Sequence, residues 1–276
     1  MTSDLSAFHA IILGLVEGLT EFLPISSTGH LLAAQRLLGL GGTTETDMAL
    51  DTYAICIQAG AILAVLVLYR ARVTQVVQGL FGRSEDGRRL LVALAAAFLP
   101  AAVIGVALSD PIRSVLFGVG PVAGAWIVGG LLILRVTRQP WSRSGTTAIE
   151  QLTIPHALII GVAQAAALWP GVSRSLVTIL AALALGYTMR AAVEFSFLLG
   201  LITLAAATAY EGIRSGDQLV ATFGIATPFL GLVVAFVSAV VAVRWMVTWL
   251  QSRGLEVFGW YRIAIGVAAV GALAAF

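Results

Sequence analysis

Lysine is absent from this 276-residue chain: all 16 basic residues are arginine. Mechanisms that need a lysine amine are therefore closed. Cysteine is nearly absent too. Cys56 stands alone in an apolar run, which excludes an internal disulfide and leaves a thiolate metal centre without a ligand set. Charge of either sign is scarce, at 11% of residues against about 25% in soluble domains. Apolar residues make up 59% of the chain, against about 45–50% normally, and the mean hydropathy is +0.97. So little charge cannot solvate a surface around so much apolar volume. A soluble globular protein, a disordered chain and a nucleic-acid binder are excluded. The apolar stretches are continuous rather than alternating, which favours helices over a β-barrel. The expected class is an all-α polytopic membrane protein, one integral membrane domain over residues 1–276. Residues 1–6 carry no base and precede no small-residue cleavage site, so no removable signal peptide is read.

Six uncharged or nearly uncharged runs approach the roughly 20 residues that cross a bilayer core. They cover 52–69, 90–109, 114–134, 195–210, 218–243 and 257–276, the last interrupted early by Arg262. Arginine sets the expected orientation. Arg70, Arg72, Arg83, Arg88 and Arg89 follow the first run, and Arg135, Arg138 and Arg143 follow the third. Arg190 precedes the fourth, and Arg244, Arg253 and Arg262 separate the last two. All are expected on the cytoplasmic side. The opposite loops are poorer in arginine.

Two further apolar segments, 5–39 and 152–186, are each interrupted near the middle. The first interruption is Leu23-Pro24-Ile25-Ser26-Ser27-Thr28-Gly29, the second Trp169-Pro170-Gly171-Val172-Ser173-Arg174-Ser175. Proline and glycine end one helix, and serine or threonine caps the next. Each segment reads as a re-entrant helix–break–helix hairpin, which membrane depth tolerates only where protein or a wet cavity satisfies the backbone. The two align without gaps at a spacing of 147 residues, as from His9 to His156. Gly14 then matches Gly161, Ser26 matches Ser173, Leu38-Gly39 matches Leu185-Gly186, and Glu17 falls on Gln164. Three spans follow each hairpin, with opposite expected orientation. The pattern is an inverted-topology repeat, 1–138 and 150–276, a design that places discontinuous helices and the functional site near mid-membrane.

The chemistry concentrates in the breaks. Glu17 and Glu21 share a helix face. Acids inside a membrane segment are functional candidates by default, and two together need a cation, a shared proton or an arginine. Hard oxygen ligands suit Mg²⁺ or Ca²⁺ bridging to phosphate, with Glu17 and Glu21 as metal ligands. Packing against an arginine is the plainer alternative. Ser26, Ser27 and Thr28 stand before a half-helix whose free N–H groups can bind an anion, although capping alone also accounts for such residues. His30 lies three residues after Ser27, close enough to activate its hydroxyl as a nucleophile. Arg174, between Ser173 and Ser175, makes an oxyanion cradle with Thr178 one turn on, since arginine binds phosphate bidentately. Arg174 could equally neutralise Glu17 or Glu21. His9 and His156 read as paired elements of the repeat rather than ligands. Glu194 reads as a cap or a partner of Arg190.

Glu17-x-x-x-Glu21 followed by Pro24-Ile25-Ser26-Ser27-Thr28-Gly29-His30-Leu31 resembles the first signature of the bacterial undecaprenyl-diphosphate phosphatase family, also called the bacitracin-resistance protein family. Pro170-Gly171-Val172-Ser173-Arg174-Ser175-Leu176-Val177-Thr178 resembles the second, with Leu176 where many members have glycine. The resemblance covers nearly the whole chain. It implies removal of the terminal phosphate from a C55 polyprenyl diphosphate, giving the monophosphate carrier for cell-wall glycans. It also implies divalent-cation dependence and a multi-pass protein of the bacterial plasma membrane with its active site open to the outer face. The expected catalytic residues are Glu17, Glu21, Ser27, His30 and Arg174. Ser26, Thr28, Ser173, Ser175 and Thr178 are the expected phosphate-binding residues. Attack by Ser27 with His30 as base, or by water positioned by Glu21 or His30, are both open. The expected partners are the lipid substrate and the bilayer, with no nucleic acid; a homo-oligomer is left open. A lipid-phosphate transporter is the second reading, because inverted repeats and midplane sites are transporter traits. The type-2 phosphatidic-acid phosphatases do not fit, since the chain has no lysine for their early motif and no histidine or aspartate soon after Ser173-Arg174.

Overall fold

A computed structural model describes residues 5–41 and 44–275; most of the segment read for a signal peptide lies outside the described residues. The described residues form eleven α-helices and three short 3₁₀ turns, with no strand among them. The helices are α1 Ala7–Thr20, α2 Ser27–Leu37, α3 Thr44–Leu68, α4 Arg70–Leu80, α5 Glu85–Leu116 and α6 Val119–Thr137. They continue with α7 Ile154–Ala165, α8 Arg174–Ala184, α9 Met189–Phe223, α10 Ala226–Ser252 and α11 Glu256–Ala275. Among the described residues, five segments are long and apolar enough to cross a membrane: Thr46–Leu68, Glu85–Leu108, Val119–Thr137, Met189–Asp217 and Ala226–Ser252. The sixth expected span coincides with α11, 20 residues long. The chain is an all-α, multi-pass membrane protein.

Two of the boundary shifts have plain local reasons. The third span starts at Val119 rather than near 114, because Gly118 is extended and acts as the helix N-cap. The fifth starts at Ala226 rather than 218, because Gly224 adopts φ +68° and ends α9, a conformation open to glycine at little strain.

The hairpin helices are too short to span. At about 1.5 Å per residue, the 14 residues of α1 reach about 21 Å, against a hydrocarbon core of about 30 Å. The repeat extends to hydrogen-bond detail. Ser6 Oγ accepts from the His9 amide at 3.3 Å, and Thr153 Oγ1 accepts from the His156 amide at 3.4 Å. Helix α2 and helix α8 begin and end at matching positions. Gly39 and Gly186 both take positive φ, followed by matching bonds from Leu40 N to Gln35 O and from Tyr187 N to Ala182 O. His9 is thus part of an N-cap. His156 adds a ring contact to Tyr187 Oη at 2.9 Å.

The chain divides into two compact units. One holds α1 with Phe22, then Ser27–Leu68 and Leu201–Arg244. Its core includes Leu13, Leu31, Tyr53, Ile57 and Ala235. Gly14 and Gly18, four apart, let α1 lie directly on α10: a Cβ at Gly14 would meet Gly231 O and Val234, and one at Gly18 would strike Ser238 and Ala235 O. Small residues at this spacing are the usual device for close helix approach in lipid, where apolar burial supplies no driving force.

The other unit holds Leu23–Ser26, Tyr69–Gly200 and α11 with the end of α10. Gly161 seats α7 against the backbone of Ala97 in α5, and Gly130 with Gly259 seats α6 against α11. The arginine-rich connection after the first span is not all open loop, since it contains α4. Arg72 of α4 is not simply solvated either. Its guanidinium pairs with Glu194 at the start of α9 and with Glu150 of the 3₁₀ turn Ile149–Gln151, and bonds Gln75 Oε1 at 2.9 Å. Glu194 is therefore partnered by Arg72, 122 positions away, and not by its helical neighbour Arg190. The Arg72 hydrogen bond holds the Glu150 carboxyl below its ordinary pKa.

Candidate functional site

The first break begins where α1 ends. Glu21 keeps helical dihedrals and its amide still bonds Glu17 O at 2.9 Å. Pro24 has no N–H to continue the ladder. Ile25 N turns back to Leu23 O at 2.8 Å, and Ser26 takes φ +74°. Ser26 is the only non-glycine residue with positive φ among those described. Such conformations cost about 1–3 kcal/mol and persist where the surroundings impose them. This turn aims Ser27, the first residue of α2, back along the chain, and its hydroxyl donates to Glu21 Oε2. Glu17, Glu21, Ser27 and His30 are all buried, Glu17 at 1% exposure, while Thr28 is exposed.

The second break is built differently. Helix α7 tightens into a 3₁₀ turn, Ala166–Leu168, and Gly171 takes φ +94° where a Cβ would strike Val122 O. Ser173 caps α8, accepting from Leu176 N at 3.3 Å. Arg174 is the first residue of α8 and its guanidinium lies against α9 at Gly200, where a Cβ would collide with it. Thr178 Oγ1 bonds Arg174 O at 2.9 Å and Ser196 Oγ at 2.7 Å.

The breaks touch each other within the second unit. Ser173 Oγ and Ser175 Oγ, 2.9 Å apart, both donate to Leu23 O, at 3.3 and 3.0 Å. Arg262 Nη1 donates to Pro24 O at 3.2 Å, and Trp126 Nε1 donates to Ile25 O at 3.0 Å. Three consecutive carbonyls of broken backbone thus each accept from a side chain, which is how non-helical chain survives away from water. Ser173 and Ser175, read from sequence as phosphate ligands, here direct their protons to protein backbone.

Residues 10–268 match the family described as bacitracin resistance protein BacA. The chain belongs to this family. It is 47% identical over 264 residues to the undecaprenyl-diphosphatase of Sorangium cellulosum, covering 94% of this chain and 84% of that one. It is 43% identical to undecaprenyl-diphosphatase 1 of Chromobacterium violaceum, covering 96% and 95% of the two chains. It is 39% identical to the undecaprenyl-diphosphatase of Nitrobacter winogradskyi, covering 99% of each. The family match contains both breaks and every candidate site residue.

Sequence reasoning missed four participants. Trp126 and Gly200 sit among ordinary span residues and give no signal. Ser196 reads as a minor polar position in an apolar helix. Arg262 does carry a signal, a charge inside an apolar run, but its position between two spans equally suits a loop arginine. The structure corrects that placement: Arg262 is fully buried.

The seat of Arg174 gives a test. Gly200→Ala should not weaken α9 by propensity, since alanine gains up to about 1 kcal/mol over glycine in a helix. It should push the guanidinium aside and lower kcat/KM by at least about tenfold, because catalytic groups misplaced by an ångström commonly lose that much or more. Steady-state phosphate release beside thermal unfolding checks this. Unchanged kinetics would show that the contact does not set the position of Arg174.

Proposed function

We propose that this family member is an undecaprenyl-diphosphatase, removing the terminal phosphate of undecaprenyl diphosphate and returning the monophosphate carrier to cell-wall glycan synthesis. The observation that carries the reading is the Ser27–Glu21 hydrogen bond, closing a strained turn in which the Leu23 carbonyl is held by the serines flanking Arg174. Chain continuity keeps Glu21 two residues and Ser27 four residues from that carbonyl. The nucleophile–acceptor pair thus brackets that peptide along the chain.

Ser27 Oγ attacks the terminal phosphorus. The new Oγ–P bond forms as the bridging P–O bond breaks, the hydroxyl proton passes to Glu21 Oε2, and the lipid monophosphate departs. Water then cleaves the Oγ–P bond and releases phosphate. Direct attack by a water held on Glu21 or His30 is the alternative. His30, three residues after Ser27 on one face of α2, is a further proton carrier in either route. Arg174 binds phosphate oxygens bidentately, and Ser26, Thr28, Ser173, Ser175 and Thr178 are the further phosphate-binding candidates of the two signatures. Ser173 and Ser175 serve this role only by turning from Leu23 O.

Glu17 and Glu21 would hold the divalent cation. Among the described residues no group of three acidic, histidine or cysteine side chains is gathered. Two buried carboxylates fit Mg²⁺, which keeps several waters and takes phosphate oxygens, better than the six to eight oxygens Ca²⁺ prefers. When bound, the ion neutralises charge that develops on the phosphoryl group. We further propose that the protein lies in the bacterial plasma membrane with the site reached from the outer face.

Phosphate release from undecaprenyl diphosphate by purified protein in detergent tests the function, since transport cannot be scored there. Turnover that stops with chelator and returns with Mg²⁺ is expected. No release from the intact, folded protein would reject the phosphatase reading and leave the lipid-phosphate transporter.

A further inference from the structure

The least expected charge in the molecule is Arg262. It lies in α11, its relative exposure is 0%, and among the described residues no carboxylate lies within ion-pair distance of it. Burying an unpaired guanidinium is strongly unfavourable unless its donors are matched. Here they are matched by main-chain carbonyls. Nη1 bonds Pro24 O at 3.2 Å, and Nη2 bonds Ala125 O at 2.8 Å and Gly171 O at 2.9 Å; Nε is buried without an acceptor. Pro24 belongs to the first break and Gly171 to the second. Space for the guanidinium comes from α6, where a Cβ at Gly129 would collide with Nη2. An arginine kept inside a membrane protein on carbonyls alone, with one from each break among them, is a functional candidate by default, since a buried guanidinium is costly.

We infer that Arg262 is a positioning residue for the phosphatase reaction: its guanidinium fixes the first break against the second by bridging Pro24 O and Gly171 O. Pro24 is three residues from both Glu21 and Ser27, and Gly171 is three residues from Arg174. A shift of either carbonyl is therefore passed within one turn of chain to the residues that attack and bind phosphate. The inference rests on the proposed phosphatase function. It adds a site component outside both signature motifs, delivered by the last helix.

The test compares Arg262→Met, Arg262→Lys and Gly129→Ala with wild type. Phosphate release from undecaprenyl diphosphate is measured in detergent, per mole of monodisperse folded protein, with thermal unfolding in parallel. In Arg262→Met, kcat should fall at least about 10²-fold with KM changing less than about threefold, the pattern of lost catalytic alignment. Amide hydrogen exchange should rise together in the peptides spanning 22–28 and 169–175. Arg262→Lys keeps a cation with three donors and should recover at least about tenfold of that loss. Gly129→Ala displaces the guanidinium without removing it and should lower kcat in the same direction.

A purely structural role would lower the melting temperature and yield while leaving kcat per folded molecule unchanged, and that result overturns the inference. If Arg262→Met does not fold, kcat in Arg262→Lys and Gly129→Ala decides: wild-type values in both overturn it. An inactive wild type would instead reject the function itself. An active wild type with an inactive Arg174→Ala and a fully active Arg262→Met would reject the role of Arg262 alone.

Discussion

Glu21→Gln should lose at least about 10²-fold in kcat, the size found when one electrostatic contact to a transition state is removed. The substitution keeps shape and an acceptor oxygen, so Ser27 can still donate to position 21. What it removes is charge. A neutral amide cannot take the Ser27 proton, and it is a poor ligand for a hard cation. Thermal unfolding measured in parallel separates this loss from misfolding. The double variant Glu21→Gln/Ser27→Ala should be little worse than Ser27→Ala, because groups acting as a unit are not additive. A Glu21→Gln protein with near-normal turnover would remove Glu21 from the mechanism.

Arg174→Ala is expected to do similar or greater damage, about 10²- to 10³-fold in kcat/KM, and to raise KM as well, since arginine serves bound substrate and transition state alike. Arg174→Lys should restore little of it. A lysine ammonium is a point charge and cannot offer two parallel donors to one phosphate. The local frame should survive, because Ser173 still caps α8 and Ser173 with Ser175 still hold Leu23 O. Kinetics of the three proteins at several substrate concentrations separate the two effects. A lysine variant as good as wild type would show that charge alone is needed at position 174.

Much of this was readable beforehand, for a physical reason. Where local chemistry dictates backbone, sequence is sufficient. Pro24 and Pro170 end helices because they lack a donor, Ser6 and Thr153 start them because a hydroxyl satisfies a free amide, and Gly39 and Gly186 turn the chain where φ must be positive. Helices α1 and α2 accordingly lie inside 5–39, and α7 and α8 inside 152–186. Partners distant along the chain were not readable. That Arg72 finds Glu194, that Trp126 finds Ile25 O, and that Arg262 lies buried rather than in a loop depend on which helix faces which. Periodicity fixes a residue's place on its own helix and says nothing of its neighbour. Ser27 shows both sides of this. Its place at the head of a half-helix was evident, but the acceptor of its hydroxyl proved to be Glu21, a choice set by the positive φ of Ser26.

The three carbonyls of Leu23, Pro24 and Ile25 also set an order of events during synthesis. Their donors come from residues 126, 173, 175 and 262, all made later. The last of them sits 14 residues from the C-terminal end of the sequence. A chain emerging from the ribosome thus carries Glu17, Glu21 and Ser27 early, while the peptide between them gains its last side-chain donor only when α11 has been made.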